Sequence, residues 1–302
     1  MNKYLISILG PTATGKTKLA INLAEKYSTE IISADSRQFY KELNIGAAKP
    51  SNNDLNRVKH HLINNKSVID NYSIGEFERD AIKNITKIHE KADIAILVGG
   101  SGLYLDVINY GLDQIPKSDE NIRDFLNNEF KLKGLNHIQN ELKEKDLISF
   151  NSIDLNNPRR IIRALEVTIS NGKPYSSFLK KKKNKRNFKT IEIGLKDDRE
   201  LIYNRINNRV DKMIANGLVN EVNDLVQHKE LNSLNTIGYK EVFNYLEGKS
   251  DLDNAINEIK KNTRRYAKRQ MTWFNSNNNI IWFKVNYKIE DIIKCLDNLI
   301  SH

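Results

Sequence analysis

The chain has 302 residues, 39% hydrophobic and 28% charged, the balance of a globular protein with one large core, or one core carrying an insertion. Forty-eight lysines and arginines against 38 acids leave a formal charge of +10 and a pI near 9.3, which suggests a polyanionic partner without requiring one. The sole cysteine, Cys295, excludes an internal disulfide framework and a cysteine-based zinc site, and the first apolar run is too short for a signal peptide or membrane span, so a cytoplasmic protein with no membrane association is expected.

In chain order, Lys3 to Leu9 is apolar and of strand length. It runs into Gly10-Pro11-Thr12-Ala13-Thr14-Gly15-Lys16-Thr17, which fits the phosphate-loop pattern G-x-x-x-x-G-K-[ST] at every fixed position. Leu19, Leu23 and Tyr27 then recur every four residues, with Ala20 and Ala24 beside them, giving a helix with one apolar face. Strand, glycine-rich turn and helix form the context that the pattern requires. Backbone N–H groups, the helix N-terminus and the Lys16 ammonium then converge on a di- or triphosphate, and Thr17 offers a hydroxyl to a Mg²⁺ riding on it.

Glu30 to Ala34 reads as a second strand with Asp35 at its C-terminal end, and Asn44 to Pro50 as a loop. His60 to Asn64 reads as a short strand, on which the adjacent His60 and His61 point to opposite faces. None of the six histidines has ligand spacing. Ser73 and Glu76 form a capping box before a helix whose buried face is Phe77, Ala81, Ile85 and Ile88. Asp93 to Gly100 is the clearest buried strand, and Gly99-Gly100-Ser101-Gly102 opens another helix. Strands alternating with helices imply a parallel sheet, whose ligands sit beyond the carboxyl ends of the strands. Gly10, Asp35 and Gly99 are therefore expected to converge.

The pattern changes near Pro116. From there to Lys189 the periodicity is helical. Asn157 as N-cap and Pro158 at the first position open a helix that Gly172 and Pro174 end. Ile161, Ile162, Leu165 and Ile169 are its expected buried side, and Arg159, Arg160 and Arg163 form one basic surface. Lys180 to Lys189 carries seven basic residues, read evenly as a solvated segment or a nucleic-acid contact. Thr190 to Leu195 returns to the sheet, two helical stretches follow, and Asn279 to Val285 is a last strand. The fold class is α/β: a phosphate-loop NTPase-like parallel sheet flanked by helices, formed by 1–113 and 190–302, with an all-helical insertion at 114–189.

ATPases and GTPases hold the Mg²⁺ shell with an acid at the end of an apolar strand. Here the best apolar strand ends in Gly99-Gly100, and its only acid, Asp93, lies at the opposite end. The acid at a strand end is Asp35. A phosphate loop facing such an aspartate suits a group transferase: the loop holds a phosphorylated donor and the carboxylate faces an acceptor. A kinase of a nucleoside or small metabolite, and an RNA-binding module with a regulatory nucleotide pocket, are the alternatives that the residues leave open.

Together GPTATGKT, SADSRQFYKELNIGAAKP, HHLIN, ILVGGSGLY, NPRRIIRALEV, RVDKM, NTIGYKE and TRRYAKRQMTWF, in this order across nearly the whole chain, resemble the bacterial tRNA dimethylallyltransferases, or isopentenylpyrophosphate transferases. The resemblance implies transfer of a dimethylallyl group from dimethylallyl diphosphate to N6 of the adenine 3′-adjacent to the anticodon of tRNA, with Mg²⁺ as cofactor and no membrane partner. A monomer is expected. It implies that Gly10 to Thr17 and Arg209 hold the diphosphate, that Asp35 is the catalytic base with Thr12 as second polar contact, and that Thr17 serves the metal. It places Asp35, Ser36, Arg37, Gln38, Ser101, Arg123, Arg159, Arg160, Ile161, Ile162 and Arg163 against the anticodon stem-loop. The chain departs from the family pattern at Ala47, Asn64, Arg159 and Asn275, which commonly are Thr, Asp, Gln and Arg. The aromatics Tyr266, Trp273 and Phe274 read as core.

Overall fold

The computed structural model describes residues 2–179 and 185–301. The chain divides into two units, Met1–Tyr110 with Arg186–His302, and Gly111–Lys185.

The larger unit is built on a six-stranded sheet in the order β3-β2-β4-β1-β5-β6. The strands are β1 (Tyr4–Leu9), β2 (Ile31–Ser33), β3 (His60–His61), β4 (Ile94–Val98), β5 (Lys189–Lys196) and β6 (Ile281–Lys284). Every neighbouring pair is parallel. All six side chains of β1 and all five of β4 are buried, as expected of a parallel sheet covered on both faces. The first helix, α1 (Lys16–Lys26), buries Leu19, Ala20, Ile21, Leu23 and Ala24. Then come α2 (Asn52–Arg57), α3 (Ile74–His89) and α4 (Gly102–Tyr110). The capping box of α3 is present, with the Ser73 hydroxyl accepting from Glu76 N and the Glu76 carboxylate accepting from Ser73 N, and Phe77, Ala81, Ile85 and Ile88 are its buried face.

Strand β3 is shorter than its sequence suggests. Leu62 and Asn64 take positive φ angles of 60° and 56°, which end the ladder after His61. The two histidines have separate partners: His60 Nδ1 meets Val58 O and His61 Nε2 meets Glu30.

The smaller unit holds α5 (Glu120–Lys133), α6 (Leu135–Lys145), α7 (Leu147–Ser152) and α8 (Pro158–Asn171). Asn157 caps α8 through a bond from Arg160 N, and Gly172 ends it in the left-handed conformation. Ile161, Ile162, Ala164 and Leu165 join Leu126, Ile138 and Leu142 in one core. Ile169 does not belong to that face, being 36% exposed; the buried stripe runs through Ala164, Leu165 and Thr168 instead. A single buried carboxylate, Asp146, accepts four bonds, from Ser149 N, Ser149 Oγ, Ser176 N and Ser176 Oγ.

Of the basic segment, Lys180 to Asn184 lie outside the described residues. Arg186, read as solvated or nucleic-acid-facing, is anchored in the larger unit. It donates to Ile108 O and Val107 O at 2.8 and 2.7 Å and to Glu78 at 2.5 Å.

The larger unit continues with α9 (Arg199–Ala215), α10 (Leu218–Asn223), α11 (Tyr239–Leu246), α12 (Leu252–Phe274) and α13 (Ile289–Ile300). No described helix is long and apolar enough to cross a membrane.

Gly10 is where the sheet fixes the site. Its φ is +137°, and a Cβ there would lie 2.4 Å from Leu195 O, a backbone atom of β5 that cannot move aside. Backbone strain of about 1–3 kcal/mol and overpacking of about 1–3 kcal/mol add here. Gly10→Ala is therefore expected to destabilise the fold by about 2–6 kcal/mol in urea unfolding.

Candidate active site

In the order β2-β4-β1, three parallel strands release their chains at the same edge of the sheet. Ala34 N bonds Val98 O at 2.8 Å and Gly99 N bonds Ile8 O at 3.1 Å, so the three strand ends are tied together. Thr12, Ala13, Gly15, Lys16, Thr17, Asp35, Gly99 and Gly100 all line one cleft of about 1410 Å³ in the larger unit. The expected convergence of Gly10, Asp35 and Gly99 is met, with Gly10 just behind the wall.

The loop turns on two left-handed residues, Ala13 at φ 66° and Gly15 at φ 86°. Two loop side chains fold inward: the Thr14 hydroxyl donates to Pro11 O at 2.9 Å, and Lys16 Nζ donates to the same oxygen at 2.7 Å. Thr14 is buried and, like Gly10 and Pro11, forms the back of the cleft rather than its surface. The side chain of Thr14 thus braces the loop and does not face a donor.

Arg209, in the C-terminal half of α9, reaches across. Its Nη1 donates to Thr12 Oγ1 at 2.9 Å. Burial, and then the neighbouring Arg209, push the Lys16 ammonium down to about 7, against the pull of Asp35. Arg209 is lowered by burial, again opposed by Asp35, but a guanidinium keeps its charge. Two partly buried cations and one carboxylate thus influence one another in the cleft, an arrangement that a bound polyanion would stabilise.

Asp35 accepts a bond from Arg37 N at 2.9 Å, the two-residue link of an Asx turn. No helix follows it, so Asp35 shapes a turn while its carboxylate faces the cleft. Arg37 Nη1 donates to Ser233 O at 2.7 Å. Gln38 is buried, receives the Ser33 hydroxyl at 2.9 Å and reaches Ala48 O at 3.4 Å. Ser36, Arg37 and Gln38 line the cleft with Asp35.

Helix α12 forms the facing wall and departs most from the sequence reading. Tyr266 lines the cleft instead of the core. Its phenol is raised by burial first and then by the Asp35 charge, with the Ser101 side chain acting in the opposite direction. Trp273 is 41% exposed, its Nε1 donating to Asp106 at 3.0 Å. Only Phe274 is core. Arg264 donates to Asn207 Oδ1 at 2.7 Å and Arg269 lines the cleft, whereas Arg265 and Lys268 are exposed.

Sequence reasoning passes over three groups. Gln270, 6% exposed, accepts from Thr12 N at 2.9 Å and donates to Gly100 O at 2.8 Å. Glu221 accepts from Asn44 N, Ile45 N and Gly46 N at 3.0, 2.7 and 3.0 Å, and so shapes the 44–50 loop. Glu241 accepts from Gly238 N and Asn262 Nδ2, both at 2.8 Å, and holds the 235–238 stretch that lines the cleft. Of the departures, Ala47 is buried on the cleft wall, Asn64 takes a bond from Lys49 Nζ, and Asn275 is exposed beyond α12.

The smaller unit holds the other candidates. Glu166, 4% exposed at its side chain, binds Arg123 through Nε at 2.8 Å and Nη2 at 3.1 Å, and Arg163 Nη1 at 2.8 Å. One buried carboxylate thus presents two half-exposed guanidinium groups. Arg159 and Arg160 are exposed. Ile161 and Ile162 are 0% and 6% exposed; they are core residues, because the arginines take the opposite face of α8, and their side chains are not available to an RNA.

Among the described residues no three His, Cys, Asp or Glu side chains form a metal cluster. The hydroxyl of Thr17 on the cleft wall beside Lys16 fits a Mg²⁺ that rides on a diphosphate, since this ion takes much of its shell from phosphate and water.

The sequence profile of the IPP transferase family matches residues 38–277. The tRNA dimethylallyltransferase of Christiangramia forsetii is 51% identical over 301 residues, covering 100% of both chains. That of Flavobacterium johnsoniae is 49% identical over 96% of each. Among solved structures, the tRNA isopentenylpyrophosphate transferase of Bacillus halodurans is 37% identical, with a TM-score of 0.71 over 100% of this chain and 96% of that one. A eukaryotic dimethylallyltransferase acting on tRNA is 27% identical, with a TM-score of 0.85 over 99% of this chain and 80% of that one. With the phosphate loop, Asp35 and the Gly99-Gly100 turn set around one cleft, the chain belongs to the IPP transferase family, that of the tRNA dimethylallyltransferases.

Proposed function

We propose that the chain transfers a dimethylallyl group from dimethylallyl diphosphate to N6 of the adenine 3′-adjacent to the anticodon of tRNA. The single observation that carries this reading is that Asp35 lines the same cleft as Lys16, Thr17 and Arg209. In this reading the leaving group sits at the end of β1 and the proton acceptor at the end of β2, on either side of β4.

The donor lies with its diphosphate on the backbone of Ala13 to Thr17, between Lys16 and Arg209. The Thr17 hydroxyl and the diphosphate would hold a Mg²⁺, which would supply charge neutralisation at the leaving group. Apolar cleft residues such as Val98, Val210 and Met213 suit a five-carbon chain. The C1–O bond to the diphosphate breaks, its electron pair leaves with the pyrophosphate, and the N6 lone pair forms the new C–N bond. An exocyclic adenine amine is a weak nucleophile because its lone pair is delocalised, so loss of its proton to Asp35 during attack makes the transfer feasible. Lys16 and Arg209 bind most strongly when the leaving group carries its full charge, which is transition-state rather than ground-state stabilisation.

To reach the donor the adenine leaves its stack, a smaller cost in a single-stranded loop than in a duplex. Ser36 and Arg37 line the cleft with Asp35 and receive it, and Ser101 follows the cleft-lining Gly100 in the chain. In the smaller unit Arg123, Arg159, Arg160 and Arg163 contact the phosphate backbone, with Glu166 orienting two of them. Changing both Arg160 and Arg163 to Gln is expected to lower the slope of log K for tRNA against log salt by about one for each phosphate that is no longer neutralised. The KM for dimethylallyl diphosphate should stay constant. An unchanged slope would return both residues to a solvated face.

Donor choice tests the reaction itself. Unmodified tRNA is supplied with radiolabelled dimethylallyl diphosphate or with γ-labelled ATP. The expected outcome is label in tRNA from the first and none from the second. Phosphate transfer from ATP to a small molecule, with tRNA unlabelled, would replace this reading by a kinase.

A further inference from the structure

We propose that Gln270 is a positioning residue that fixes the distance between the donor loop and the acceptor turn, and that Gly100 lacks a side chain to make room for it. This rests on the prenyl transfer proposed above, in which the loop holds the leaving group and the turn after β4 adjoins the acceptor.

Gln270 makes one bond to each side. Its Oε1 accepts from Thr12 N at 2.9 Å and its Nε2 donates to Gly100 O at 2.8 Å. The amide is used in both directions, which no other side chain of that length does with uncharged groups. The side chain is 6% exposed, so each bond is made where water does not replace it and losing either partner leaves a buried polar group unsatisfied.

Thr12 is where this link enters the chemistry. Its backbone is held by Gln270, and its hydroxyl receives Arg209 Nη1 at 2.9 Å. Its N–H is committed to Gln270, so the donor is left to the amides from Ala13 onward. Moving Thr12 moves the contact that places Arg209 over the leaving group.

The acceptor side is held by the same helix. Along α12, Gln270 bonds Gly100 O and Trp273 packs where a Cβ on Gly102 would sit, 2.3 Å from its ring, while the Ser101 side chain acts on the Tyr266 phenol. Tyr266 and Gln270 are four apart and therefore share one face. The stretch from Gly100 to Gly102 thus lies against α12, and of these side chains Gln270 also reaches the phosphate loop.

Gly100 supplies an independent observation. Its φ lies outside the left-handed region, so its backbone suits any residue. A Cβ there would lie 2.4 Å from Gln270 Nε2, with no other atom closer than 3.6 Å. The glycine is needed because of one side chain, not because of its own conformation.

That gives a test a general structural role does not pass. Gln270→Ala is expected to lower kcat by about 10²-fold, the effect of misplacing reacting groups by about an ångström, with the KM for dimethylallyl diphosphate little changed because Lys16 and Arg209 remain. Gly100→Ala is expected to lower kcat in the otherwise wild-type enzyme. In the Gln270→Ala background, Gly100→Ala should add no further loss, since the space it needs is empty. Gln270→Glu keeps size and the accepting oxygen but cannot donate to Gly100 O as a carboxylate; it should lower kcat, and it carries the test if Gln270→Ala does not fold. Hydrogen exchange over residues 10–17 reads the link without turnover: Gln270→Ala should speed exchange of the Thr12 amide.

A wild-type kcat in Gln270→Ala, a Gly100→Ala penalty of equal size in both backgrounds, or unchanged Thr12 exchange would each overturn the proposal. Wild-type enzyme that does not prenylate tRNA would instead overturn the functional reading, and the exchange measurement would still decide the link.

Discussion

Asp35→Ala is expected to lower kcat by about 10²–10⁴-fold, the range for losing a general base, while dimethylallyl diphosphate binds nearly as in the wild type. The donor rests on the phosphate loop, Lys16 and Arg209, and Asp35 lies at the end of β2, beyond β4 from the loop. Removing its charge takes one stabilising neighbour from each cation, and a bound diphosphate supplies more charge than that neighbour did. Ala, however, also removes the bond that Asp35 accepts from Arg37 N, and with it the turn that presents Ser36 and Arg37. Asp35→Asn separates the two roles. Its side-chain oxygen can still accept from Arg37 N, but an amide does not take a proton. If Asp35 is the base, Asn and Ala should be about equally slow. If Asn retains most of the activity, the carboxylate is a turn-forming residue and the base lies elsewhere.

The second large effect concerns Lys16. Lys16→Met is expected to reduce kcat/KM for dimethylallyl diphosphate by about 10²–10³-fold, comparable with losing one donor to a developing oxyanion. Its pH dependence is more telling. With the ammonium pushed down to about 7 in the free enzyme, the donor meets a fully charged lysine only below that pH. In the wild type, log(kcat/KM) for the donor should fall above about pH 7 toward a limiting slope of one per pH unit, whereas Lys16→Met should lack that limb. Donor binding should take up a proton near pH 8, since a diphosphate draws the lysine back to its charged form.

The same lowered value has a consequence for stability. The folded state releases the Lys16 proton near 7 and the unfolded chain near 10.5. Between those values the unfolded state binds more protons, so stability rises with pH across that window. Below 7 the burial penalty is present in full. Lys16→Met should therefore melt above the wild type at pH 6 without ligand, and the difference should shrink as the pH approaches 10. Thermal melts over that range check the sign. A site poised for an anion is destabilised while it waits for one.

Much of the site is legible because it is local. The phosphate loop is a contiguous pattern, and Asp35 stands out as the acid at a strand end. Helix α8 announces its caps at Asn157 and Gly172, and the capping box at Ser73 and Glu76 is visible as letters. The sheet edge follows from alternation of strands and helices.

What stays hidden is non-local. Gln270 meets Thr12 and Gly100 from 258 and 170 residues away. Glu166 binds Arg123 from 43 residues away. Neither pairing leaves a mark on local periodicity, yet one signal points to Gln270. The buried positions of α12 include Ile259, Ala267, Gln270 and Phe274, so a glutamine occupies the apolar stripe. A polar residue at a core position asks for a partner. Tyr266 and Trp273 escape the sequence reading for the converse reason. Aromatic side chains have an apolar body and a polar tip, and only the fold decides which end is covered. Ile161 and Ile162 are RNA contacts only by what the family resemblance implies; helical spacing already puts them on the buried side, where they lie.

The shortest route to the central claim is to follow both fragments of the donor in one reaction. Enzyme is mixed with unmodified tRNA, Mg²⁺ and dimethylallyl diphosphate labelled in the prenyl carbons. Released pyrophosphate is counted, and the tRNA is digested to nucleosides. The expected result is one pyrophosphate released for each prenyl group bound, with all label in N6-dimethylallyladenosine from the position 3′ to the anticodon. Wild-type reactions in which pyrophosphate appears without prenylated adenosine, or in which label settles on another nucleoside or a small molecule, would contradict it.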